Sequence, residues 1–244
     1  MLRQHAPMTA CALLACVLFA WDGHAQTRTL RIAVVDSAPY GFAQGGQPAG
    51  LSSELGLALA AGAGCESTAT LLSRADALRA LAAGKADMAV MPGGPGSDKA
   101  VVSLGPLLHS RFAAIGRAGT PLRSRDDLRG KTVAVVRGDP RDPLLSTRHG
   151  VALLPVPNAT RGLKLLVAGQ VEFVAGEWLS LLHAVDAMHL PARIFGSPLL
   201  LSPVSVDLLV PASLDQESAA RLAQALERLE ARESFRAIAA RYGL

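Results

Sequence analysis

The chain carries an internal echo of strand and helix, and that repetition limits the folds open to it. "IAVVDSAP" (32–39) is matched by "VAVVRGDP" (133–140): an apolar run, a turn, then proline at the same spacing. "ALRALAAGKADMAV" (77–90) is matched by "GLKLLVAGQVEFVA" (162–175): an apolar-basic helix, an Ala-Gly stop, a polar residue, a strand. Both echoes occur in the same order, which predicts two lobes of similar construction. The intervening segments keep the rhythm. "TLRIAVV" (29–35) reads as a strand and "GLSSELGLALAAGAG" (50–64) as a helix. Ser73 caps a helix whose Leu78, Leu81 and Ala82 share a face, and "ADMAVM" (86–91) is a short buried strand. "SRDDLRG" (124–130) is a one-to-two-turn helix stopped by Gly130. Then come "KTVAVV", a helix near 159–168, "VEFVA" (171–175) and a helix from about Glu177 to Ala187. "VSVDLLV" and two helices striped by Leu222, Leu226, Leu229 and by Phe235, Ile238, Ala239, Tyr242 close the chain. The alternation predicts an α/β fold with mostly parallel sheet in each lobe.

In open α/β sheets, ligands sit where strands give way to loops at their carboxyl ends. Four loops are therefore expected to converge on a cleft: "DSAPYGF", "MPGGPGS", "RGDPRD" and "GEW". The second is strand-then-glycine-loop, an arrangement that presents backbone N–H groups to anions. It is not a phosphate loop: that motif needs Lys and then Ser or Thr after its last glycine, whereas Gly96 precedes Ser97, Asp98 and Lys99. A wall of a ligand cleft is the expectation.

The N-terminal "MLRQHAPMTACALLACVLFAWDGHAQ" has a short basic start, an apolar run from Ala10 to Trp21, and Gly23 and Ala25 before a plausible cut. The run is too short to span a bilayer and suits a secretory signal over residues 1–25, with export to the periplasm. A lipoprotein signal with Cys16 modified ranks second. Cys65 would then remain without an intramolecular partner. The net charge of +4 is dispersed, without an aromatic-basic cluster, so nucleic acid is not an expected partner. The histidines lack metal-ligand spacing, and neither a G-x-S-x-G elbow nor a Cys-His pairing is present, so metal and nucleophilic chemistry have no support.

At the four loops the chain resembles the extracytoplasmic solute-binding proteins of family 3, the amino-acid type that serves ABC importers. "LRIAVVDSAPYGFAQGGQPAGLSSELGLALA", "ALAAGKADMAVMPGGPG", "SLGPLLHS", "PLRSRDDLRGKTVAVVRGD", "LVAGQVEFVAGE" and "FRAIAARYGL" carry the likeness, in order, over about residues 28–244. The resemblance implies the two-lobed type II periplasmic-binding-protein fold. Lobe 1 would be discontinuous (28–114 plus 205–244) and lobe 2 would span 115–204, with crossings near Phe112–Arg117 and Ser202–Val206. It also implies a monomer without cofactor that closes about a hinge on a small-molecule ligand, with an ABC permease or a membrane sensor as partner.

In the family an Arg after the ligand loop's proline forks the ligand carboxylate. Ser97 stands at that place here. The partner acid falls at Glu177, and Asp139-Pro140 replaces a threonine-type position. Asp36, Asp139 and Glu177 then make an acceptor-rich cleft, with Tyr40, Phe42 and Trp178 as stacking surfaces and Gly93 and Gly94 in the loop. Such a lining favours a cationic or polyhydroxylated ligand over a standard α-amino acid. Arg137 or Arg111 offers a replacement cation, and the loop's N–H groups offer a carboxylate site without Arg. The alternatives are a non-transport sensor or accessory protein, and a prephenate-type (cyclohexadienyl) dehydratase with Glu177 as general acid.

Overall fold

Where both faces of a strand are apolar, both must be covered, and the core here lies on both sides of each parallel group of strands. The computed structural model describes residues 28–94, 99–137, 142, 145–230 and 233–242. The expected leader with Cys16, and the nominated residues Ser97 and Asp139, lie outside them.

Strand β1 (Thr29–Val35) leads to a hairpin of β2 (Phe42–Gln44) and β3 (Gln47–Ala49), helix α1 (Leu51–Gly62), β4 (Glu66–Leu72), α2 (Arg74–Ala82) and β5 (Ala89–Pro92). The long β6 (Val101–Gly116) follows, then β7 (Thr132–Val136), β8 (Ala152–Val156), α3 (Ala159–Val167), β9 (Phe173–Glu177) and α4 (Trp178–Ala187). The chain finishes with β10 (Leu199–Pro211), α5 (Gln216–Glu230) and α6 (Glu233–Arg241).

Outside the long strands and the small hairpin, pairing is parallel. β1 pairs with β4 and touches β5 through an Ile32–Met88 bridge. β7 pairs with both β8 and β9. The two parallel groups are joined by β6 and β10, which run antiparallel from Val101 opposite Pro211 to Ala114 opposite Leu199. β5 flanks β10 over Val206–Leu209, and β9 flanks β6 over Phe112–Gly116. Between those stretches, His109, Ser110 and Arg111 face Ser205, Val204 and Pro203 as a two-strand neck.

Strand alternation splits the core on either side of each sheet. Ile32, Val34, Met88 and Val90 pack with Leu51, Leu55 and Leu59 of α1 and Leu222 and Leu226 of α5. Ala33, Val35, Ala89 and Met91 point the other way, against Ala77 and Leu81 of α2. Across the neck, Ala134, Val136 and Val174 meet Leu163 and Leu166 of α3 and Leu181 of α4. Val133, Val135 and Phe173 face Leu128, Leu145 and Val151. Each fully buried Leu or Ile contributes roughly 1.5–3 kcal/mol of transfer free energy, so all four clusters matter.

Three local outcomes differ from the periodicity. β6 gave no strand signal in the sequence, because Gly105-Pro106 and the polar His109–Arg111 interrupt its apolar runs. β9 lies two residues beyond "VEFVA", which carries the strand to Glu177. "SRDDLRG" holds one 3-10 turn, Arg125–Leu128, closed by a capping box between Ser124 and Asp127.

Candidate functional site

Both lobes send strand ends toward one another. Asp36 directly follows β1, and its N–H donates to the Leu72 carbonyl at 2.8 Å, extending the β1–β4 ladder by one step. Ser37 and Gly41 then exchange backbone hydrogen bonds of 3.0 and 3.1 Å, folding 37–41 into a tight loop. Across the gap, Arg137 N–H donates to the Val156 carbonyl at 2.8 Å, holding the ends of β7 and β8 side by side. Asn158 caps α3, its Oδ1 accepting the Arg161 N–H at 2.9 Å. These ends enclose a cavity of about 300 Å³. Its polar lining is Asp36 and Ser37 from one lobe and Asn158, Thr160, Ser180 and His183 from the other. Carboxylate, hydroxyl, amide and imidazole groups converge there, a set suited to a small polar molecule with several hydrogen-bonding groups.

Among the nominated residues, Asp36 is exposed at this cavity. Gly93 and Gly94 follow β5 at φ 84° and 64°, a left-handed conformation that favours glycine. The Arg74 guanidinium fixes that turn by donating to the carbonyls of Pro92 and Gly94. Phe42 is half-buried in the β2–β3 hairpin, opposite Ala49. Arg137 is exposed, one residue beyond the cavity-lining Val136.

Two nominated residues occupy other places than a ligand wall. Tyr40 is 1% exposed and belongs to the core cluster of β1 and α1, so its ring has no open face for stacking. Glu177 is also 1% exposed. Its carboxylate caps α4, accepting the N–H groups of Leu179 at 3.0 Å and Ser180 at 2.9 Å, and the Ser110 hydroxyl donates to Oε1 as well. Helix starts leave N–H groups unsatisfied, and an acid at the N-cap meets both that need and the helix dipole. The side chain is directed to the helix end and the neck. Trp178, next in sequence, is half-buried and lines a separate groove beside the neck.

The residues that sequence reasoning missed are Ser37, Asn158, Thr160, Ser180 and His183. Asn158 was legible as a helix start, and Ser180 and His183 sit three and six positions beyond Glu177, within the helix expected there. What the sequence lacked was the angle of α4 relative to β1. Among the described residues, no group of three His, Cys, Asp or Glu side chains is placed to hold a metal, and no helix is long and apolar enough to cross a membrane.

No protein-family model matches the sequence, and no curated protein matches it. Solved structures do. A histidine kinase sensor domain with similarity to periplasmic binding proteins is 25% identical, with TM-score 0.74 over 89% of this chain and 96% of that one. The periplasmic VFT2 domain of Bordetella pertussis BvgS is 22% identical, with TM-score 0.72 over 88% and 93%. The substrate-binding protein of an amino acid ABC transporter is 16% identical, with TM-score 0.72 over 88% and 98%. Parallel groups on either side of an antiparallel crossing pair, and these likenesses over nearly nine-tenths of the chain, give this protein the two-lobed α/β fold of the type II periplasmic-binding proteins.

Proposed function

We propose that the protein is an exported solute-binding protein of the family 3 type, which captures a small polar ligand between its lobes for an ABC importer. The observation that carries this is the cavity of about 300 Å³ with polar groups from the strand ends of both lobes. Lobe limits of 28–114 plus 205–244 and 115–204 go with the reading. With Asp36 at the rim, hydroxyl and amide groups inside, and Ser97 where the family has its carboxylate-binding Arg, the preferred ligand is cationic or polyhydroxylated. Isothermal titration against polyamines, betaines, sugars and amino acids tests it. Saturable binding of a cation or polyol, weakened about tenfold by Asp36→Asn, is expected. Tight binding of a neutral or acidic α-amino acid overturns the ligand class.

A second reading is a periplasmic sensor or accessory module. It is favoured by the burial of Glu177: the acid that would receive a ligand ammonium caps α4 instead. The likeness to a histidine kinase sensor domain points the same way. A permease and ATPase gene pair beside this gene supports transport; a lone or sensor-adjacent gene supports the second reading. The dehydratase alternative loses ground for the same reason, since Glu177 faces the helix end and Ser110 rather than a substrate.

A further inference from the structure

Beside the neck lies a second cavity, about 510 Å³, bounded by His109 and Arg111 of β6, Pro203 of β10, and Trp178 and Leu182 of α4. It exists because β9 gives way to α4 at Glu177, so the β6 edge over 109–111 loses its flanking strand and α4 closes the space obliquely. His109 and Arg111 alternate along an extended strand, so their side chains leave on the same face. Both are exposed, and neither side chain makes a hydrogen bond or ion pair among the described residues. The opposite wall is apolar: Trp178 is half-buried and Leu182 is 40% exposed. Among the described residues, no acid lines the groove; Glu177, behind Ser110, has its oxygens taken by the helix end and the Ser110 hydroxyl.

We infer that this groove is a binding site for a small amphipathic carboxylate, with an aromatic or branched aliphatic body. A guanidinium with open donors forks two hydrogen bonds to a carboxylate, and an imidazole beside it supplies a further donor. Trp178 and Leu182 take the apolar body out of water, and the volume lies within the roughly 300–1,000 Å³ of small-molecule pockets. The site is separate from the cleft and does not depend on what the cleft binds. Helix α4 stands between the two: Ser180, His183 and Ala184 turn to the cleft, while Trp178, Leu179 and Leu182 turn to the groove. A ligand held by neck and helix together touches the two parts that a hinge motion would displace.

Trp178 is one of two tryptophans, so its fluorescence reports the groove directly in a Trp21→Phe background of the full chain. Phenylacetate, titrated by fluorescence and by calorimetry, and indole-3-acetate, titrated by calorimetry alone because its own indole fluoresces, are the probes. Saturable binding is expected, with phenylacetamide at least about tenfold weaker because the fork requires an anion. Arg111→Gln should weaken phenylacetate by about tenfold at unchanged melting temperature, and Arg111→Lys by less, since an ammonium keeps the charge without the fork. His183→Ala, in the cleft, should leave phenylacetate binding as it was. The inference is overturned by absence of saturation at about 10 mM, a concentration that would fill about nine-tenths of a site with a Kd of about 1 mM. It is equally overturned by equal affinity for the amide, by wild-type affinity in Arg111→Gln, or by loss of binding in His183→Ala.

Discussion

Asp87 and Glu177 are both buried acids, and each is ionically or sterically committed to holding chain segments together. Asp87 is 4% exposed, and its carboxylate accepts the Arg31 backbone N–H and guanidinium at 2.8 Å, with Arg28 3.6 Å away. Burial pushes this carboxyl up, but the hydrogen bonds from Arg31 and the charges of Arg31 and Arg28 outweigh it and hold it below the ordinary value. A group depressed in the folded state contributes stability above its unfolded pKa of about 3.9, and that contribution is lost as pH falls through the folded value. Urea midpoints of the wild type should therefore decline below about pH 4, and Asp87→Asn should flatten that decline while lowering stability at pH 7 by about 2 kcal/mol. An unaltered acid limb in Asp87→Asn would contradict this assignment. For Glu177 the expected cost of truncation to Ala is about 2 kcal/mol, from two freed helix N–H groups and a stranded Ser110 hydroxyl. Chemical denaturation measures it; a neutral result would mean that water caps α4 equally well.

Among the elements, the loop after β1 depends most on a single small residue. Gly41 pairs with Ser37 and lies so close to β1 that an added Cβ would fall on the Val35 carbonyl oxygen and against the Val34 side chain. Gly41→Ala should displace the 37–41 turn, cost about 1–3 kcal/mol, and weaken whatever the cleft binds, because Asp36 and Ser37 ride on that turn. Thermal melts and ligand titration separate the two effects. Most elements were legible from period and caps: β1 spans the seven residues expected, and Ser73 caps α2 as read, accepting the Asp76 N–H. β6 was not legible, since its Val101–Gly116 run passes from one core across an open neck into another, so no single period describes its burial.

For the molecule as a whole, the two lobes are not joined by the neck alone. Leu179, at the start of α4, belongs to the cluster built on β1, α1, β10 and α5 and is 6% exposed. Leu179→Ala should lower stability by about 2–4 kcal/mol in urea. Small-angle scattering of this variant without ligand should show a larger radius of gyration, as lobe contact is loosened. Unchanged dimensions together with the expected loss of stability would confine Leu179 to local packing.

Periodicity, caps and the internal echo were enough to establish alternating strands and helices, the two-lobed plan and Asp36 at the end of β1, because those follow from contacts within a few residues of each other. Long-range packing, which the sequence does not display, makes Tyr40 core, turns Glu177 to a helix end, and brings Ser180 and His183 to the same cavity as Ser37. The physical reason is that a side chain's fate at a strand end depends on the direction in which the next helix leaves. That direction is set by packing between segments more than a hundred residues apart, such as Leu179 of α4 and the cluster of β1 and α1.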